Sequence, residues 1–388
     1  MSNSSDVVVV GGGVIGLSAA WRCRQRGLSV VVVDPQPGRG ASHTAAGMLA
    51  PVSELTYNEE RLFGLNLASA ALYPAFVMEL EETTGCRVGY RRSGTLEVAW
   101  DSADLGHLKD LQALQRTLGV TSELISGREL RQQEPLLSSG LPGGLFVADD
   151  HHIDNRALVR ALRAACTTAG VQFVAERVTD LAYANGNTAG AVGAVTGVVT
   201  ESGSLLSCGV TVLAAGAASG TLPGLFGSAT VPVRPVKGQT LRLHNPGGPL
   251  LTHVVRGTVK GSPVYIVSRD NGEVIVGASS EEQGFDVEPR AGVVYELMRD
   301  AVALVPQLAE CAWREVSTNL RPGTPDNAPI IGHADRDGLV VATGHYRNGI
   351  LLTPITAAAV ADFVVGMEPP AAVTAFNSHR FGTSQVVG

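Results

Sequence analysis

The chain has 388 residues, more than one compact core usually holds, so two intertwined or sequential domains are expected. Apolar residues make up 45% and charged residues 17%, the proportions of a packed globular protein, and the net charge is −7. That balance excludes a general basic footprint for nucleic acid or an anionic membrane surface, although it says nothing of a local anion pocket.

The first residues carry no cationic run ahead of an apolar core, so a secretory signal is not expected. Val7-Val8-Val9-Val10 is apolar and β-branched and reads as a buried parallel strand. A glycine cluster follows, and Leu17, Ala20 and Trp21 then recur at helical spacing up to Arg26, with Gly27 suited to end the helix. The apolar stretch 7–21 is too short and too broken by glycine to cross a bilayer. Leu28 to Val33 is a second buried strand, which completes a βαβ unit. Gly144 to Val147 reads as a strand of a second βαβ-like stretch. Asp154 is placed to cap a helix over Arg156 to Thr168, and Val171 to Val174 begins another strand. Val210 to Ala214 is an apolar strand ending at Gly216. Residues 229–317 alternate in short segments (Thr240–Leu243, Val264–Val267, Val274–Val276), with a hairpin signal at Asp270-Asn271-Gly272. This predicts antiparallel sheet, followed by a helix over Val293 to Leu304. The end returns to α/β style with a strand at Leu339–Thr343 and a helix from Pro354 to Val365. The tail after Gly366 reads as irregular.

The order of styles predicts a mixed α/β fold. A Rossmann-like domain is built from discontinuous segments, 1–84, 146–228 and 318–388. A mostly antiparallel substrate domain is inserted over 85–145 and 229–317. The five cysteines (Cys23, Cys86, Cys166, Cys208, Cys311) are odd in number and far apart, which suits free thiols in a reducing cytoplasm.

Gly11-Gly12-Gly13-Val14-Ile15-Gly16 satisfies G-x-G-x-x-G between a strand and a helix, and Asp34 ends the next strand 18 residues past Gly16. Gly11 permits the tight turn. Gly13 admits a pyrophosphate to the helix N-terminus, Gly16 allows close helix–strand packing, and Asp34 can accept from a ribose hydroxyl. Asp34 argues against a 2′-phosphate. The chain then runs into small residues at 38–48, rather than into further βα units, and this favours FAD over NAD.

Four stretches resemble the D-amino-acid oxidase superfamily of flavoproteins, and within it the glycine oxidases of thiamine biosynthesis. They are the N-terminal fingerprint, Ala41–Pro51, Leu-Arg-Pro-Gly-Thr-Pro-Asp at 320–326, and Gly-His-Tyr-Arg-Asn-Gly-Ile-Leu-Leu at 344–352. His152-Ile153-Asp154 and Pro235-Val236-Lys237-Gly238-Gln239 are similar too. The resemblance implies that Val14, Ile15, Asp34, Pro35 and Val178 hold adenine and ribose. It implies that Ala41, Ser42, Ala46, Gly47 and Met48 line the pyrophosphate and flavin, with Gly216 also a cofactor residue. His345, Tyr346, Arg347, Asn348, Gly349, Ile350 and Leu351 would pass along the isoalloxazine. Arg321 would bind a substrate carboxylate, Tyr265 would donate a further hydrogen bond, and Arg347 would lie near flavin and substrate. Sarcosine-oxidising relatives tether their flavin through a cysteine in the segment matching 316–326. None stands there, so the FAD is expected to be non-covalent.

The activity so implied is oxidative deamination of glycine, with sarcosine and small D-amino acids as further substrates. Hydride passes from Cα to FAD, and oxygen, the partner substrate, leaves as hydrogen peroxide. The imine product would serve thiazole synthesis. A cytoplasmic homo-oligomer is implied, a tetramer by analogy with related glycine oxidases. The alternatives are a sarcosine or D-amino-acid oxidase, and a flavin dehydrogenase of the same fold that passes electrons to another acceptor. An NAD-linked enzyme and a non-enzymatic FAD-binding protein fit less well. His151 and His152 are neighbours that do not face one metal ion, so a surface loop and no metal site are expected. Asp149-Asp150 and Glu281-Glu282 read as solvated charges.

Overall fold

The protein is described by a computed structural model covering residues 4–184, 193–223 and 231–381. Two eight-stranded sheets organise it. The first has the order Ile330–His333, Leu339–Thr343, Leu205–Leu213, Ser4–Val10, Val30–Val33, Gln172–Val174, with Val195–Thr200 and Val178–Tyr183 branching from Leu205–Leu213. Val7–Val10 pairs in parallel with Val210–Leu213 on one side and with Val30–Val33 on the other. These valines are buried because helices cover one face and the branch strands the other. Helix Val14–Gln25 packs against helices Asn155–Thr168 and Thr353–Val364. Asp154 does cap Asn155–Thr168, accepting from the Ala157 N–H at 2.9 Å.

The second sheet has the order Ala312–Gly323, Arg234–His244, Glu273–Gly277, Ser262–Ser268, Val254–Val259, Thr95–Ala99, Gly143–Val147, Glu123–Ser126. The hairpin signal holds, since Ser262–Ser268 and Glu273–Gly277 pair antiparallel with Gly272 at φ +81°. Two readings change. Gly143–Val147 is no parallel strand; it lies antiparallel between Thr95–Ala99 and Glu123–Ser126. The antiparallel sheet also contains one parallel pair, Val254–Val259 with Thr95–Ala99. Short apolar runs carry burial but not strand direction, which is set by partners distant in sequence. Helix Ala291–Leu304 covers this sheet through Leu297, Ala301 and Leu304.

Helix Glu60–Thr84 is long and apolar enough to cross a membrane. Here Leu62, Phe63, Leu65, Tyr73, Phe76 and Leu80 are buried against the protein's own core clusters. Burial of each large side chain contributes roughly 1.5–3 kcal/mol.

Two surface readings are corrected. His151–His152 forms a short strand paired with Met48–Leu49, and His152 is buried, with burial pushing its pKa down to about 3. Asp150 is fully buried and accepts the N–H groups of Val52 and Ser53, both at 2.9 Å. Burial raises its pKa to about 6 against those bonds. Turn-like polar pairs look alike in sequence whether they face water or receive unsatisfied backbone donors.

Candidate active site

A cavity of about 1280 Å³ is lined from both sheets. That exceeds the roughly 300–1,000 Å³ of most small-molecule sites and leaves room for an elongated group beside a small second molecule. Every candidate cofactor and substrate residue named above lies on its wall except Gly16. Gly16 has the packing role its motif position predicts: a Cβ there would stand 1.9 Å from the Gly11 carbonyl oxygen.

The wall near the fingerprint is made of backbone. Gly11 adopts φ +108°, and a Cβ on it would stand 2.3 Å from the Ala214 oxygen. Gly13 opens helix Val14–Gln25 without a side-chain cap and with no acidic residue in the first turn. Ser42 Oγ accepts the Val14 N–H at 3.0 Å. The positive end of the helix therefore meets the cavity beside Gly13 and Ile15, which suits a phosphate. Asp34 fastens the turn, with Oδ2 accepting from the Gly12 N–H at 2.6 Å and Oδ1 from the Gln36 N–H at 2.7 Å. Each carboxylate oxygen keeps a second lone pair for a ribose hydroxyl. These residues fit a flavin dinucleotide.

The C-terminal loop forms another part of the wall. Tyr346 sits at φ +46°, an uncommon place for a non-glycine residue. His345 is buried with Nε2 at 3.0 Å from Thr356 Oγ1, and burial alone takes its pKa down to about 3. It is a neutral structural imidazole.

Around Arg321 the wall is made of side chains. Strand Ala312–Gly323 carries Arg321, whose guanidinium lies over Gly238: a Cβ there would stand 2.3 Å from Nη1 and 2.5 Å from Cζ. Nη1 donates to the Ser279 carbonyl at 2.9 Å, and among the described residues no carboxylate pairs with Arg321. Tyr265 packs over Gly277 in the same way, and its hydroxyl has no hydrogen-bond partner among the described residues. Burial pushes the Tyr265 phenol up to about 12, with Arg321 opposing and Glu54 adding to the shift. It stays protonated and can donate.

Arg347 differs. Its Nη2 donates to Glu59 Oε2 at 2.6 Å and Thr56 Oγ1 at 3.1 Å, and Nε stands 3.6 Å from Glu54 Oε2. Three residues not foreseen from the sequence join it: Glu54, Glu97 and Arg256. Arg256 lies 3.7 Å from Glu54 and 3.8 Å from Glu97, directly across paired strands from the latter. Burial works against the Arg256 charge, but Glu97, Glu54 and Asp150 outweigh it and hold the group above its ordinary range. Burial pushes the Glu97 carboxyl up against the pull of Arg256, and its Oε2 has no partner among the described residues. An adjoining cavity of about 380 Å³ shares Glu54, Glu97, Arg256 and Arg347 with the first. Only the strand alternation around Glu97 and Arg256 hinted at this cluster, and alternation does not name a partner strand.

The arrangement sets an arginine without a carboxylate partner among the described residues and a phenol donor in one cavity with a wall rich in carboxylates. That suits a small molecule carrying both an anionic and a cationic group.

The chain matches the family model described as FAD dependent oxidoreductase over residues 6–363. It is 32% identical to the glycine oxidase of Geobacillus kaustophilus, over 100% of this chain and 99% of that protein. A crystal structure of glycine oxidase from the same organism superposes with a TM-score of 0.87, covering 99% of this chain and 100% of that one. It is also 35% identical to the Bifunctional protein ThiO/ThiG of Synechocystis sp., over 99% of this chain and 55% of that protein. The chain thus spans about half the length of the first curated relatives it matches.

Proposed function

The chain belongs to the FAD dependent oxidoreductase family, and from that premise we propose that it oxidises glycine to the imine, which water converts to glyoxylate and ammonia. The observation that carries this reading is Arg321, a guanidinium lining the cavity without a carboxylate of its own among the described residues. A bidentate grip on the substrate carboxylate is what such a group does best. Tyr265 donates a further hydrogen bond to the same carboxylate. Gripping that handle fixes Cα in one place, and orientation of this kind can supply several kcal/mol of a barrier.

Bound FAD supplies the two-electron acceptor. Gly11, Gly13, Val14, Ile15, Asp34, Pro35, Ser42 and Val178 would hold its nucleotide part; Ala46, Gly47, Met48 and the loop 345–351 would lie along its ring. No cysteine lies within 316–326 to tether it. The carboxylates of Glu54 and Glu97 favour the substrate ammonium on entry. The amine sheds its proton before hydride leaves Cα, towards this acidic wall or water. Arg347, tied to Glu54 and Glu59, positions that wall and does not itself grip the carboxylate. Overall, glycine and dioxygen give iminoacetate and hydrogen peroxide, and hydrolysis follows.

The halves of the molecule divide accordingly into a cofactor domain around the first sheet and a substrate domain around the second. The reading carries with it a cytoplasmic homo-oligomer, a tetramer by analogy with related glycine oxidases, and a supply of imine to thiazole synthesis. Oxygen uptake tests the activity. Glycine should drive uptake with stoichiometric glyoxylate and peroxide. Uptake with sarcosine, D-alanine or another amine and none with glycine would move the substrate while keeping the chemistry.

A further inference from the structure

The segment Ser42–Gly47 reaches the cavity with all six of its carbonyl oxygens bonded to donors. Asn155 Nδ2 donates to Ser42 O at 2.6 Å, and Arg156 Nε to His43 O at 3.1 Å. Thr240 Oγ1 donates to Thr44 O at 3.0 Å. Arg242 Nη2 donates to both His43 O and Ala45 O at 3.2 Å, and Arg269 Nη2 to Ala46 O at 3.2 Å. The Ile153 N–H closes the series on Gly47 O at 2.8 Å. Arg242 and Arg269 are 1% and 5% exposed, so this is a built interior contact. Glu273 holds both guanidiniums, and Asp154 and Asn155 fix Arg269.

With the carbonyls so occupied, the groups of this segment free to meet a cavity occupant are its amides. The N–H groups of Ala46 and Gly47 have no partner among the described residues, and both residues line the cavity. The loop 345–351, which also lines the cavity, repeats the arrangement: Tyr73 Oη donates to Ile350 O at 2.5 Å and Ser69 Oγ to Leu351 O at 2.7 Å.

We propose that Thr240 and Arg242, on the second sheet, and Arg269, in the hairpin turn just past strand Ser262–Ser268, are positioning residues of the flavin site: they turn the carbonyls of 44–46 outward so that the Ala46 and Gly47 amides present donors to the isoalloxazine. The physical reason is dipolar. Reduction adds negative charge to the ring, which N–H donors stabilise and carbonyl oxygens oppose, so the clamp biases both affinity and potential. The inference rests on the FAD assignment above and adds to it that the second sheet tunes the cofactor.

The test uses the FAD-loaded protein and three variants, Thr240→Val, Arg242→Met and Arg242→Lys. Two quantities are read: the FAD dissociation constant, from apoprotein titrated with FAD, and the midpoint potential without substrate. Thr240→Val, nearly isosteric, should weaken FAD about fivefold and lower the potential, as loss of one buried hydrogen bond predicts. Arg242→Met should weaken FAD about a hundredfold, through loss of a charged clamp on two carbonyls. Arg242→Lys should restore part of both. A folded Arg242→Met protein with unchanged FAD affinity and potential overturns the proposal. Should that variant not fold, an unchanged Thr240→Val protein overturns it equally. Wild-type protein that binds no FAD would instead refute the cofactor assignment, a different failure.

Discussion

The two halves of the cavity are built from different material. The side around the glycine fingerprint is backbone: glycines at 11 and 47 in left-handed conformations, a helix N-terminus, and carbonyls tied back out of the way. The side around Arg321 is charge: Arg321 without a carboxylate partner among the described residues, with Arg256 and Arg347 shared among Glu54, Glu59 and Glu97. A backbone-built wall tolerates little change. A charge-built half can be retuned by single side chains, and its substitutions should register in substrate kinetics before they register in FAD.

The largest effect expected is that of Arg321→Ala. Leaving a substrate carboxylate without its counter-charge costs about 2–5 kcal/mol, so kcat/KM for glycine should fall by roughly thirtyfold to several thousandfold. The flavin spectrum should be unchanged. An unaltered KM refutes the assignment of Arg321. Gly238→Ala asks the same question without touching a charge. Its Cβ would stand 2.3 Å from Arg321 Nη1, so the guanidinium must shift. A misplaced handle should raise the glycine KM about tenfold or more while FAD stays bound; wild-type kinetics would show that the handle does not need this seat.

Asp34→Ala probes the other half. It removes the acceptor of the Gly12 N–H and the expected ribose contact together. FAD affinity should weaken by about tenfold with glycine kinetics preserved at saturating FAD. A fully loaded mutant after dialysis would count against that contact.

The smallest effect is on pH. His345 has an ordinary value of 6.5 and is held near 3 by burial in the fold. Unfolding therefore takes up a proton, so the stability this residue contributes is present above 6.5 and is lost as pH falls towards 3. Asp150 runs the other way, because its folded value of about 6 lies above 3.8; its contribution is full below 3.8 and is lost as pH rises through 6. His345→Gln should flatten the acid limb of a denaturation-against-pH curve. An unchanged limb would place its cause in His152 or elsewhere.

This division also explains what the sequence disclosed. The glycine fingerprint, Asp34 and the small-residue run were legible because backbone conformation leaves its mark within a few residues. The antiparallel hairpin at 270–272 was legible for the same reason. Arg321 and Tyr265 were reached only through resemblance, since neither spacing nor alternation says which arginine lacks a partner. Glu97 and Arg256 were missed because their pairing depends on strands at 95–99 and 254–259 meeting in parallel. Asp150 was misread as solvated because the donors it serves, at 52 and 53, are brought to it only by the fold.

The most direct test of the central claim is an anaerobic titration of the FAD-loaded protein with glycine, followed by visible absorbance. Glycine should bleach the flavin bands and oxygen should restore them, while Arg321→Ala should bleach only at far higher glycine. Flavin bands that glycine leaves untouched, in a protein that another amine reduces, would contradict glycine as the substrate.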